Sequence, residues 1–338
     1  MADVSFGFSS SEPDATYECQ LDGGEFSPCA SPVTYSGLSN GQHTFYVRAK
    51  DAAGNADATP ASRTWTVGVT TSGDPVFVGA GDIASCNSSG DEATAALLDG
   101  IPGTVYTLGD NVYDSATDAD FAGCYDPSWG RHKARTMPVV GNHDYETAGA
   151  SGYFNYFGAA AGDPSTGYYS YDLGAWHIVA LNSMCENVGG CGPGSPMLTW
   201  LEQDLAANPS SCTLALWHHP VFSSGSEHGS DPKMIPSWDA LYAAGADVVL
   251  NGHDHDYERF APQTSSGLAD PDRGIREFVV GTGGKSHYDF GNVVANSEVR
   301  NSDTSGVLKL TLHASSYEWQ FVPEAGKTFS DSGSESCH

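Results

Sequence analysis

The chain has 338 residues, enough for two or three domains and a sizeable core, with Lys+Arg 14 against Asp+Glu 42 and a formal net charge of −28. So acidic a surface argues against nucleic acid or an anionic membrane as partner, and an anionic substrate would have to be drawn by local positive charge such as bound metal ions. No apolar run approaches the roughly 20 residues of a membrane span. Eight cysteines at few-residue spacings, none in a CxxC pair, point to an oxidised, exported protein and away from structural zinc. Met1-Ala2-Asp3-Val4 carries no signal peptide, so the chain is expected to start inside a longer, secreted precursor.

Taken in chain order, residues 1–68 read as short strands between turn signals. Thr16-Tyr17-Glu18-Cys19-Gln20-Leu21 alternates and then turns at Asp22-Gly23-Gly24. A strand follows from Gly41 to Ala49, Asp51-Ala52-Ala53-Gly54-Asn55 turns, and Arg63-Thr64-Trp65-Thr66-Val67 closes the segment. Cys19 is expected to pair with Cys29, and His43 to be structural. The phrases around Tyr17–Gly24 and His43–Asn55 resemble bacterial immunoglobulin-like modules. That resemblance implies a small all-β domain, here lacking its first strand, that serves as a spacer or surface-binding unit.

Residues 69–74 are Gly-, Ser- and Thr-rich and read as a linker. From 75 to 338 the pattern changes. Strands are expected at Pro75–Gly81, Thr104–Leu108, Pro138–Val140, Trp176–Leu181, Thr213–Trp217 and Asp247–Leu250. Helices are expected at Asp91–Leu98, Pro196–Ala206 and Trp238–Ala244. Late strands around Glu277–Val280, Val307–Leu312 and Tyr317–Val322 suggest a second sheet. Alternating strands and helices imply an α/β layered structure, in which sites form beyond the carboxyl ends of strands. His177, in mid-strand, and His313 read as structural.

Five short motifs fall at such strand ends. They are Gly81-Asp82, Gly109-Asp110-Asn111-Val112-Tyr113, Gly141-Asn142-His143-Asp144, Trp217-His218-His219-Pro220 and Gly252-His253-Asp254-His255. Each offers hard oxygen or imidazole donors, the set that a pair of di- or trivalent cations requires. Any one alone would read as a cap or turn, but five in order read as a two-metal phosphoesterase site. Cys86 and Cys124 each follow a motif closely and could staple two of its loops. Cys185 and Cys191 bracket a Gly-rich turn, which leaves Cys212 and Cys337 to pair by elimination.

The ordered set, over roughly residues 74–323, resembles the calcineurin-like metallophosphoesterase superfamily and its purple acid phosphatase branch. The superfamily's usual Asp-x-His is here Asp82-Ile83-Ala84, and Tyr113, three residues after Asp110, marks the purple branch. The resemblance implies a four-layer α/β/β/α sandwich behind the all-β N-terminal domain. It implies Fe(III) held by Asp82, Asp110, Tyr113 and His255, and Zn, Mn or Fe(II) held by Asp110, Asn142, His218 and His253. His219 would pack behind the site. His143, oriented by Asp144, and His228 would join Asn142 in binding phosphate, and one of the two histidines would protonate the leaving group. The implied reaction is hydrolysis of small phosphomonoesters by a metal-bound hydroxide. The alternatives are a phosphodiesterase or nucleotide pyrophosphatase on the same metals, with specificity set by Gly123–Arg135 and Ser183–Ser195, or an adhesion protein on a relic fold, which the complete ligand set disfavours.

Overall fold

The computed structural model describes residues 4–10, 15–35, 41–51, 53–57, 59–67 and 73–338. Of the expected linker at 69–74, only residues 73 and 74 lie among those described. Two compact units emerge, Met1–Gly73 and Asp74–His338.

The first unit is all-β. An antiparallel sheet runs in the order Ser27–Cys29, Thr16–Leu21, Gly41–Lys50, Ala61–Val67, and Val4–Phe6 pairs separately with Val33–Tyr35. Alternation along Gly41–Lys50 turns His43 and Phe45 inward. His43 lies 2.6 Å from the Asp22 carboxylate, which also accepts the Thr44 amide. Phe45 stacks on Phe6, and the Cys19–Cys29 disulfide ties neighbouring strands.

The second unit is built on two sheets. One has the strand order Thr136–Met137, Thr104–Thr107, Val76–Ala80, Gly306–Leu312, Ser316–Pro323, Ser332–Ser336. The other runs Tyr169–Leu173, Trp176–Ala180, Cys212–Leu216, Val248–Asn251, Arg276–Val280, Tyr257–Phe260, Ser297–Asn301. Its four central strands are parallel and wholly buried, hence their near-continuous Val, Leu and Ala. Successive side chains there take opposite faces. Ile178, Leu214, Leu216, Val248 and Leu250 join the core shared with Phe77, Leu308 and Leu310 of the first sheet. Val179, Ala215 and Val249 pack instead on Met197, Leu201, Trp238 and Leu241 of two covering helices. Ala95 and Leu98 of the helix Gly90–Gly100 cover the first sheet. The result is the expected α/β/β/α sandwich.

The helix ends follow local chemistry. Ser195 accepts the Leu198 amide and Pro196 opens Pro196–Ala207. Gly245, at φ 79°, ends Ile235–Ala244. Arg135 donates to the carbonyl of Leu98, near the end of Gly90–Gly100, and to that of Gly103. Pro138–Val140 is not a regular strand: the ladder ends at Thr136–Met137, before Pro138, which has no N–H to give, and only the Val139 amide bonds onward, to the Thr107 carbonyl. Three more disulfides join Cys86 to Cys124, Cys185 to Cys191 and Cys212 to Cys337.

Candidate metal centre

The five motif loops leave the carboxyl ends of their strands and are laced to one another by backbone bonds. The amide of Asp82 donates to the Gly109 carbonyl, that of Gly81 to Val280 and that of Gly252 to His218. The Gly81 bond joins the two sheets where the motifs meet. Side chains cannot be accommodated at the closest crossings. A Cβ at Gly109, whose φ is 85°, would lie 2.6 Å from His218 Nδ1, and one at Gly141 would collide with the Asp110 carboxylate. Asp82, Asp110 and His253 themselves adopt left-handed backbone, with φ of 59°, 49° and 72°. Such strain at non-glycine residues persists only where surrounding contacts over-determine it, as at functional sites.

All seven side chains expected as metal ligands converge, in two groups that share Asp110. In the first, Tyr113 Oη lies 2.7 Å from Asp82 Oδ1, 3.0 Å from Asp110 Oδ2 and 3.1 Å from His255 Nε2. In the second, His218 Nε2 lies 3.0 Å from Asn142 Oδ1, 3.3 Å from Asp110 Oδ2 and 3.2 Å from His253 Nδ1. A carbonyl only accepts, so the ring nitrogen facing one carries the proton. His218 Nδ1 donates to the Leu108 carbonyl and His255 Nδ1 to that of Ser286, which turns His218 Nε2 toward Asp110 and His255 Nε2 toward Tyr113 and Asp82.

The first group sets one phenolic hydrogen before three acceptors, and the second crowds two imidazole nitrogens against two oxygens. Electron-pair donors packed this way without matching protons fit a cation. The groups also shift one another's charge strongly. Burial opposes ionisation of Asp110, yet His218 and His143 hold its carboxyl well below the usual range. Burial would depress His218, but Asp110 outweighs it and lifts the imidazole to about 9. Burial and His218 push His253 down to about 2. Burial, then the Asp110 and Asp82 carboxylates, push the Tyr113 phenol well up. A bound cation inverts that logic for a phenol that ligates it.

The residues expected to handle substrate lie against both groups, His143 beside Tyr113 and His228 beside His253. The His143 amide donates to Asp110 Oδ1, and its ring Nδ1 donates to the Asp114 carbonyl at 2.6 Å, leaving Nε2 for other work. Asp144 does not orient that ring, contrary to expectation. Its carboxylate accepts from the Gly141 amide and the Asn111 side chain, bracing the loop from beneath. Burial and Asp110 raise it to about 7. His228 is exposed and stacks on His253 with centroids 4.0 Å apart. His219 stays outside both groups, its Nδ1 2.8 Å from Ser183 Oγ, and burial holds its ring well below the ordinary value.

Several supporting residues escaped the motif reading. Asp254 accepts from Ser223 Oγ and from the amides of His228 and Gly229, anchoring the His228 loop to the His253 loop. Glu258 accepts from Ser224 of the same loop, and Arg259 pairs with Asp331. Tyr288 stacks on His255 at 4.0 Å, and Lys285 Nζ lies 4.2 Å above the Tyr113 ring. The Gly281–Gly284 run was the available signal for both. His287 packs behind His255, with its ring within reach of the His255 carbonyl and Ser305.

Comparison with known proteins gives a consistent result. The family model described as calcineurin-like phosphoesterase matches residues 75–257, more than half of the chain. Purple acid phosphatase 15 of Arabidopsis thaliana is 29% identical over 199 residues, 48% of this chain and 37% of the relative. Purple acid phosphatase 23 of the same plant is 32% identical over 43% of this chain and 35% of its own length. The chain thus spans about a third of the length of the curated relatives it matches. A purple acid phosphatase from yellow lupin (Lupinus luteus) seeds superposes with TM-score 0.64 at 16% identity, covering 99% of this chain and 71% of its own. GAP50, the anchor in the inner membrane complex of Plasmodium, superposes with TM-score 0.59 at 15% identity, covering 78% and 89% respectively. At these identities the two superpositions speak to fold alone.

Proposed function

This chain belongs to the calcineurin-like phosphoesterase family, and from that premise we propose a secreted, two-metal phosphatase of the purple acid type acting on small phosphomonoesters. The observation that carries the reading is the convergence of seven side chains from five loops into two groups sharing Asp110. Asp82, Asp110, Tyr113 and His255 would hold a ferric ion, for which a phenolate and carboxylates are hard, strongly donating ligands. Asp110, Asn142, His218 and His253 would hold zinc, manganese or ferrous iron. When bound, such a pair of ions activates water and offsets charge on the phosphoryl oxygens.

The chain's own residues do the rest. Leu108 and Ser286 fix the tautomers of His218 and His255. Asp114 fixes His143 so that Nε2 can meet a phosphoryl oxygen. His228, exposed and stacked on His253, is the group to protonate the departing alkoxide. Four disulfides and the lack, among the described residues, of any helix long and apolar enough to cross a membrane support an exported protein. We assign residues 1–68 to an immunoglobulin-like spacer or surface-binding module.

The test compares p-nitrophenyl phosphate with bis-p-nitrophenyl phosphate, before and after chelation and metal return. The reading expects faster cleavage of the monoester, loss of it on chelation and its recovery with metal. Preference for the diester would move the enzyme to phosphodiesters, and activity indifferent to chelation would sink the metal mechanism.

A further inference from the structure

Lysine is scarce in this chain, six in 338 residues, yet one of them stands against the candidate phenolate. Lys285 Nζ lies 4.2 Å from the centroid of the Tyr113 ring, and its side chain is only 22% exposed. The loop beneath it is fixed, because its own amide donates to the Asp82 carbonyl at 2.9 Å and the Gly283 amide donates to that of Gly81 at 2.8 Å. Its counter-ion is weak: Asp114 Oδ1 is 3.4 Å away on a side chain that is 75% exposed, so water screens that pair far more than it screens the ring contact. A cation over an aromatic face is attracted by the ring's electron density, and the attraction grows when the ring carries phenolate charge.

We propose that Lys285 is a positioning residue for the first metal, which holds electron density on the Tyr113 ring and so tunes the phenolate-to-iron charge transfer. This rests on the reading above, in which Tyr113 ligates a ferric ion. In that optical transition charge leaves the ring for the metal. A fixed positive charge at the ring face stabilises the ground state more than the excited state and raises the transition energy. Removing it shifts the band to longer wavelength.

The experiment is the visible spectrum of the full chain loaded with ferric iron, wild type beside Lys285→Met and Lys285→Arg, each with its iron content measured. Methionine keeps the apolar stem and drops the charge, and arginine restores the charge. The expected result is a red shift on the order of 20 nm in Lys285→Met at unchanged iron content, from a charge acting across about 4 Å, and a return toward the wild-type band in Lys285→Arg. A wild-type band that stays in place in Lys285→Met overturns this inference alone. Bound iron with no band in the wild type overturns the Tyr113 assignment and this inference with it. A shift in Lys285→Met that Lys285→Arg does not restore overturns the electrostatic role.

Discussion

The group around Tyr113 and the group around His218 share Asp110 and differ in donors and in exposure. Asp82, Tyr113 and His255 are buried, and the group supplies three oxygens to one nitrogen. Asn142 and His253 are half-buried, and that group supplies two imidazoles, one amide and the shared carboxylate. A closed, charge-rich site retains a small, highly charged ion; an open, imidazole-rich site suits an exchangeable divalent one. His228 stacks on His253 of the open group, while the His143 ring lies 4.4 Å from that of Tyr113, so substrate is expected where the two groups meet. On the proposed reading, one chain builds two ion sites of different character around a single carboxylate.

The largest effect should come from the shared residue. Asp110→Asn is expected to cost both ions and lower kcat/KM by about 10³ or more; metal analysis showing two ions and activity within tenfold of wild type would contradict a shared role. The next variants separate the halves. Tyr113→Phe should erase the visible band, whereas His253→Ala should keep it, lose the second ion and lower turnover by roughly 10². A mild chelator should likewise remove one equivalent of metal with the colour intact; loss of colour in step with the first equivalent would reverse the assignment of halves. His228→Ala should lower kcat by about 10² with both ions retained, and less with leaving groups that need no proton. A uniform loss across leaving groups would make His228 a phosphate contact.

The smallest effect lies outside both halves and serves as a reference. His177 stands between Asp172 and Asp204, at 3.0 and 2.8 Å, pinning the edge strand and a covering helix to the second sheet. Burial opposes its charge, but Asp204 and Asp172 outweigh it and raise the imidazole above its ordinary value. A raised value means the charged, bridging form adds stability in full below the ordinary histidine value, about 6.5. That contribution is lost as pH rises through the higher folded-state value. Tm should fall over that window in wild type and fall less in His177→Gln, with the visible band unmoved. Equal slopes in the two proteins would remove His177 from the account.

The donors were legible because each comes in a short motif just after an apolar run, where the fold concentrates functional groups. What holds them was less legible. The partner of the His143 ring is the backbone carbonyl of Asp114, which has no side-chain signature, whereas the family resemblance pointed to Asp144. Tyr288 and Lys285 lie some thirty residues beyond the last motif, and only the folded loop brings them to His255 and Tyr113. The strand Ser332–Ser336 has no apolar residue at all and exists through backbone pairing with Ser316–Gln320.

Cys212 opens a central strand of the second sheet, and Cys337 follows the last strand of the first, so their disulfide rivets the sheets together at the end away from the metal loops. The Trp176 indole, donating to the His313 carbonyl, adds a second tie there, and the Gly81 amide closes the opposite end. A sandwich fastened at both ends has no jaw to open. On the proposed reading, admission of substrate and escape of phosphate become local affairs of the His228 and Lys285 loops, and turnover should respond to loop length and loop sequence while the layers behind them stay still.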